Sequence, residues 1–131
     1  MDLQKLEQVK AIIKSHPEIK LAYLFGSQAT GDIGPMSDYD FAFFMDGLDS
    51  KERFDLRLKL DHELSSLLKV DMVDIVVLND TDMPELKYAI IAEGILLHEE
   101  EPYQVLVEPQ ILNEYFDFHF MLKQHGLTRV P

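Results

Sequence analysis

The chain has no cysteine, which excludes a disulfide framework, a thiolate metal centre and a cysteine nucleophile. Its five histidines, His16, His62, His98, His119 and His125, form no HxH or HxxxH pair and do not suggest a zinc site. There is neither a run of 18 apolar residues nor a basic-then-apolar N-terminal leader, so no membrane segment or export is expected and the cytoplasm is the expected location. Positive charge is scarce. Twelve Lys and Arg stand against 24 Asp and Glu, for a net charge of -12, and such a surface repels a phosphate backbone. Direct nucleic-acid binding is therefore not expected, whereas a basic protein partner fits.

With 131 residues, 47% hydrophobic and 27% charged, the chain has the length and balance of one folded domain spanning 1–131. Leu3, Leu6, Val9, Ile12 and Ile13 recur at helical spacing behind a candidate cap, Asp2, and His16-Pro17 ends that pattern. Leu21 to Phe25 reads as a buried strand, followed at once by a turn at Gly26. Two glycines and a proline make residues 30–37 a loop. Asp38 to Met45 resumes a strand pattern, with Asp38, Asp40, Ala42 and Phe44 on one face and Tyr39, Phe41 and Phe43 on the other. Residues 50–69 carry a broad leucine stripe for a core helix with Ser50 as a possible cap, and Val70 to Leu78 reads as a third strand. A short helix over 84–93, a strand over 95–98 and a final helix over 109–125 complete the pattern. The order predicts an α/β (α+β) fold, with residues 98–131 as a C-terminal extension whose aromatic helix offers a possible partner contact.

The chemistry-bearing residues concentrate at strand ends. Asp38 and Asp40, two apart on a strand, point to the same face roughly 6 to 7 Å apart and can converge on shared divalent cations. Carboxylates on a core-facing strand are expensive unless a metal or a hydrogen-bond network compensates. A third carboxylate from a neighbouring strand would complete a two-metal site. Asp71 and Asp74 are the candidates, and because they are three apart at most one joins the cluster. Asp71 is the favoured residue, with Asp74 as the alternate. Gly26 and Ser27, directly after the first strand, suit close approach of a phosphate, and Ser37 is a further candidate nucleotide contact.

These residues spell FGSQATGDIGPMSDYDFAFF, in which Gly26, Ser27, Asp38 and Asp40 match the GSx10DxD signature. The chain thereby resembles the minimal nucleotidyltransferases of the polymerase-beta-like superfamily. KVDMVDIVVL resembles the later strand carrying the third aspartate, and the similarity runs over most of residues 1–98, including IIAEGILL at 90–97. Thr30 stands where many relatives have arginine, so a phosphate contact by that arginine is missing or replaced.

The resemblance implies a mixed sheet flanked by helices and transfer of a nucleoside monophosphate from a nucleoside triphosphate to a hydroxyl. It assigns two Mg²⁺ ions to Asp38, Asp40 and Asp71, and the triphosphate of ATP to Ser27. Stand-alone enzymes of this size resemble antitoxins of HEPN toxin pairs, which adenylylate a tyrosine of the toxin within a hetero-oligomer. The alternatives are transfer to a small-molecule hydroxyl, such as an aminoglycoside, and an antitoxin that acts by binding alone.

Overall fold

The computed structural model describes residues 1–26 and 39–126. Among them lie four α-helices and a four-stranded sheet: α1 (Leu3–Lys14), β1 (Ile19–Phe25), β2 (Asp40–Met45), α2 (Ser50–Leu68), β3 (Asp74–Val77), α3 (Pro84–Glu93), β4 (Ile95–Glu99) and α4 (Tyr103–Gln124), with a 3₁₀ turn at Leu78–Asp80. The strand order is β3-β2-β1-β4, with β1 antiparallel to both β2 and β4 and β2 parallel to β3. The α2 crossover supplies the long connection that parallel neighbours need. The expected mixed sheet between helices is what the chain forms. None of the described helices is long and apolar enough to cross a membrane.

Strand β1 is covered on both faces, which is why its stretch Leu21–Phe25 is a continuous apolar run rather than an alternation. Ala22 and Leu24 pack with Val9 and Ile13 of α1 and Leu60 and Leu64 of α2. Leu21 and Tyr23 pack on the opposite side with Ile90 of α3 and Val107 and Ile111 of α4. The strand starts at Ile19, two residues before the expected Leu21. A register shift between Ile19 and Leu21 lets Ile19 join the α1–α2 side although it is two residues from Leu21.

Three boundaries differ from the sequence pattern. Helix α2 is capped by Asp49, not Ser50: Glu52 N–H donates to Asp49 Oδ1 at 2.8 Å and Asp49 N–H to Glu52 Oε1 at 3.0 Å, a reciprocal capping box. The third strand covers only Asp74–Val77, because β2 starts at Asp40 and residues 70–73 carry the chain from the left-handed Lys69 cap back to the sheet. Helix α4 begins at Tyr103 and continues through Pro109. The carbonyl deprived of its donor by Pro109 belongs to Val105, which is 75% exposed and can be solvated instead. Asp2 caps α1 as expected, accepting from Lys5 N–H at 2.7 Å.

Helix α4 is tied to β1 by the Tyr23 hydroxyl, which donates to Glu108 at 2.5 Å. Burial and then the Glu108 carboxylate push the Tyr23 phenol well above its ordinary value. The folded state thus keeps Tyr23 neutral where the unfolded chain ionises, so this contribution is complete below about pH 10 and is lost as pH rises from there toward the folded value. We expect Tyr23 ionisation, followed by absorbance at 295 nm, to coincide with loss of ellipticity. In Tyr23→Phe the stability should no longer fall with this added steepness above about pH 10; an unchanged pH slope would contradict the assignment.

Candidate active site

The candidate site forms where β1 ends and β2 and β3 begin. After Phe25 the chain turns through Gly26 at φ +77°, a left-handed conformation that glycine adopts without a Cβ penalty. Phe25 is the register partner of Asp40, so the Asp40 side chain stands over Gly26. A methyl group built on Gly26 would overlap Asp40 Oδ2 and come within 3.1 Å of its Cγ. Besides the phosphate approach expected from the sequence, the glycine leaves the volume that the Asp40 carboxylate fills. Gly26→Ala should lower turnover by at least ~30-fold by displacing Asp40, the size of effect that ångström-scale misplacement produces. It should also destabilise the fold by about 1 kcal/mol. Steady-state kinetics beside a urea melt checks both, and wild-type kinetics would remove this role from Gly26.

On the other side of β2, Asp40 is in parallel register with Asp74. Register partners in neighbouring strands share a face at a spacing of about 4.8 Å, so the two aspartates stand side by side. They occupy the face of Ala42, Phe44 and Val76, which α3 and α4 cover farther along. At the strand ends that cover is incomplete: Asp40 is half-buried and Asp74 exposed. Two successive hydrogen bonds fix the entry to β3, from Val73 N–H to Asp61 Oδ1 of α2 at 3.1 Å and from Asp74 N–H to Tyr39 O at 2.9 Å.

Asp71, the favoured third carboxylate in the sequence, is exposed in the bend between α2 and β3 and outside the ladder. It is Asp74, the alternate, that stands in register with Asp40. Ser27, Ser37 and Asp38, like Thr30, lie outside the described residues. Among the described residues no group of three His, Asp or Glu side chains is assembled that could hold a metal ion; the described part of the site contributes the Asp40–Asp74 pair. Both are hard oxygen donors of the kind Mg²⁺ takes, one or two at a time beside substrate phosphates, and the cradle at Gly26 keeps the Asp40 carboxylate in place. The residues present fit a magnesium site.

Asp61 was not marked by the sequence pattern. It sits inside a helix among charged neighbours, and its partner is a backbone amide 12 residues on; no local motif announces that bond. Asp74 carried a signal, since it opens the β-branched run Ile75–Val77, but its register with Asp40 follows only from where the strand starts.

The family model described as polymerase beta, nucleotidyltransferase matches residues 7–103. A curated relative, the protein adenylyltransferase MntA of Aphanizomenon flos-aquae, is 32% identical over 94 residues, covering 64% of this chain and 59% of the relative's length. The chain thus spans about three-fifths of the curated relative it matches. Among solved structures, a toxin-antitoxin with AMP-PNP shares the fold at a TM-score of 0.71 and 24% identity, over 95% of this chain and 94% of the other. A structure of a tri-AMPylated Shewanella oneidensis HEPN toxin in complex with MNT antitoxin matches at a TM-score of 0.71 and 22% identity, with the same coverage of both chains. The strand-end carboxylates over a left-handed glycine, and a family match extending from α1 to the start of α4, lead to one assignment: this chain belongs to the polymerase beta nucleotidyltransferase family.

Proposed function

We propose that this chain is an antitoxin that transfers AMP from ATP to a tyrosine hydroxyl of a cognate HEPN-type ribonuclease toxin and so neutralises it. The observation that carries the transfer is the pairing of Asp40 with Asp74 in register beside the Gly26 turn. The adenylyltransferase activity named for the Aphanizomenon relative and the toxin complexes that share the fold support the acceptor. The net charge of -12 also favours a protein acceptor over a nucleic acid. The expected location of the pair is the cytoplasm, and the toxin complexes that share the fold support a hetero-oligomer.

In the reaction the tyrosine oxygen bonds to the α-phosphorus as the bond to the β-phosphate oxygen breaks, and diphosphate leaves. Asp40 and Asp74, with Asp38, would hold Mg²⁺, which when bound neutralises charge on the triphosphate and on the entering and leaving oxygens. Gly26, in the turn after β1, and Ser27 bind the phosphates, with Ser37 as a second hydroxyl. Asp74, at the open side of the pair, accepts the tyrosine proton as the new P–O bond forms. Asp61 and the Tyr39 carbonyl keep β3, and with it Asp74, at the level of Asp40. Catalysis is thus positioning and charge compensation, and the enzyme itself is not covalently modified.

The test is to incubate the chain with ATP, Mg²⁺ and the HEPN-type product of a neighbouring gene, and to weigh both proteins. A gain of one or more AMP units on a toxin tyrosine, with loss of its RNase activity, is expected. Inhibition of the toxin without a mass change would establish a binding antitoxin instead. Transfer to an aminoglycoside but not to the protein would establish a small-molecule enzyme.

A further inference from the structure

Strand β3 ends the sheet in the order β3-β2-β1-β4, and its outer edge has no strand beside it among the described residues. Asp74 N–H is directed to the carbonyl of Tyr39, the residue just before β2, and successive residues of a strand turn their peptide groups to alternate sides. Asp74 and Val76 therefore bond to β2, while Ile75 and Val77 present theirs to the open edge. The Val77 carbonyl is taken by the Thr81 hydroxyl at 3.0 Å. The Ile75 N–H and C=O and the Val77 N–H remain, facing away from β2, which is the one strand that β3 pairs with among the described residues.

A groove of about 480 Å³ runs along this edge, lined by Ile75, Val76 and Val77 and walled by Phe54 and Arg57 of α2. Phe54 is 52% exposed, Leu58 one turn on is equally exposed, and Met72 at the head of the strand is 56% exposed. Arg57 has no ion-pair or hydrogen-bond partner among the described residues, although acidic side chains outnumber basic ones two to one in the chain.

We propose that the β3 edge is the docking site for the acceptor: an extended segment of the protein substrate adds to the sheet as a fifth strand and delivers its tyrosine to Asp74. This rests on the adenylyltransferase reading above and names how that site receives its second substrate. The free groups are alternate backbone donors and acceptors, and an extended polypeptide supplies their complements at the right repeat. The groove is continuous with the site, since Asp74 is both the first residue of the edge strand and the register partner of Asp40. An added strand lies about 4.8 Å beyond β3. Its residue opposite Asp74 then points to the same face as the two aspartates, and the next residue points to the other face, where Phe54 and Leu58 lie. The edge thus selects a tyrosine followed or preceded by an apolar residue, and Arg57 favours a carboxylate or the chain's own carbonyls nearby.

Amide hydrogen exchange on the full chain, with and without toxin and in the absence of ATP, reads the docking directly. The Ile75 and Val77 amides should slow by at least ~10-fold on binding, as amides do when they enter a ladder. Phe54→Asp, a change at an exposed position, should raise KM for the toxin by ~10-fold or more, the scale of one lost apolar anchor, with kcat and KM for ATP unchanged. Transfer at wild-type KM in this variant, with both amides exchanging equally fast in the free and bound states, overturns the proposal and leaves the adenylyltransferase reading intact. Protection of the two amides by raising the concentration of the chain alone also overturns it, by assigning the edge to a second copy. If the wild type transfers no AMP at all, the adenylyltransferase reading falls, and the amides still decide whether the edge takes a strand.

Discussion

With the proposed adenylyltransferase function, Asp40→Asn and Asp74→Asn should each reduce transfer of AMP by roughly a thousandfold, about 4 kcal/mol of transition-state stabilisation, while Asp71→Asn stays within about tenfold of wild type. Asparagine keeps the shape of each side chain and removes its charge, so the variants isolate the electrostatic role. The fold should survive: Asp74 is exposed and Asp40 half-buried at a strand end, and removing one of several neighbouring negative charges relieves repulsion within a chain of net charge -12. The measurement is single-turnover transfer, with mass detection of the modified acceptor, beside a urea melt of each variant. Equal losses for Asp71→Asn and Asp74→Asn would show that the bend before β3 closes onto the site when substrate binds. A large loss at Asp71 with none at Asp74 would overturn the assignment based on register.

Phe41→Ala should destabilise the chain by about 3–5 kcal/mol, a large share of the ~5–15 kcal/mol typical of a domain. Phe41 is fully buried between β2 and the α1–α2 layer, and its ring lies parallel to that of Phe43, with centroids 6.2 Å apart. Truncation removes the transfer energy of the ring and leaves a cavity that a close-packed core fills only in part. Leu58→Ala makes a matched control, because Leu58 is half exposed on α2 and should change stability by no more than about 0.5 kcal/mol. A urea titration with an unchanged m-value should show a lower midpoint for Phe41→Ala only. Phe41 also pairs with Leu24 and Ile75 in register on its two sides, so its loss should loosen the alignment of Asp40 with Asp74 and lower activity even in the folded fraction.

How far these residues could be read from sequence follows from the range of the interactions that place them. The Gly26 turn, the alternation along β2 and the Asp2 cap depend on near neighbours and were legible. The Asp49 cap was legible too, in the spacing Asp49-x-x-Glu52, which Ser50 with Arg53 three residues on lacks; the leucine stripe marked the helix without fixing its first turn. Pro109 marked a helix start by habit of position, but the packing of Val107 and Ile111 against β1 and β2 carries the helix through it. The register of Asp74 with Asp40 and the amide bond to Asp61 depend on which residue of β3 meets which residue of β2 and α2. Such register is a property of the assembled sheet, and neither periodicity nor composition encodes it.

The central place of β1 bears on how the protein is made. The three adjacent strands that carry Gly26, Asp40 and Asp74 all lie before residue 78, whereas β4, α3 and α4 attach through the other edge and other face of β1. A chain leaving the ribosome therefore exposes the strands of its site while Leu21, Tyr23 and Ala42 still lack the cover of Ile90, Val107 and Ile111. Until those helices emerge, an apolar sheet face lies open behind the carboxylates, and a nascent chain stalled at this stage would be a target for chaperones.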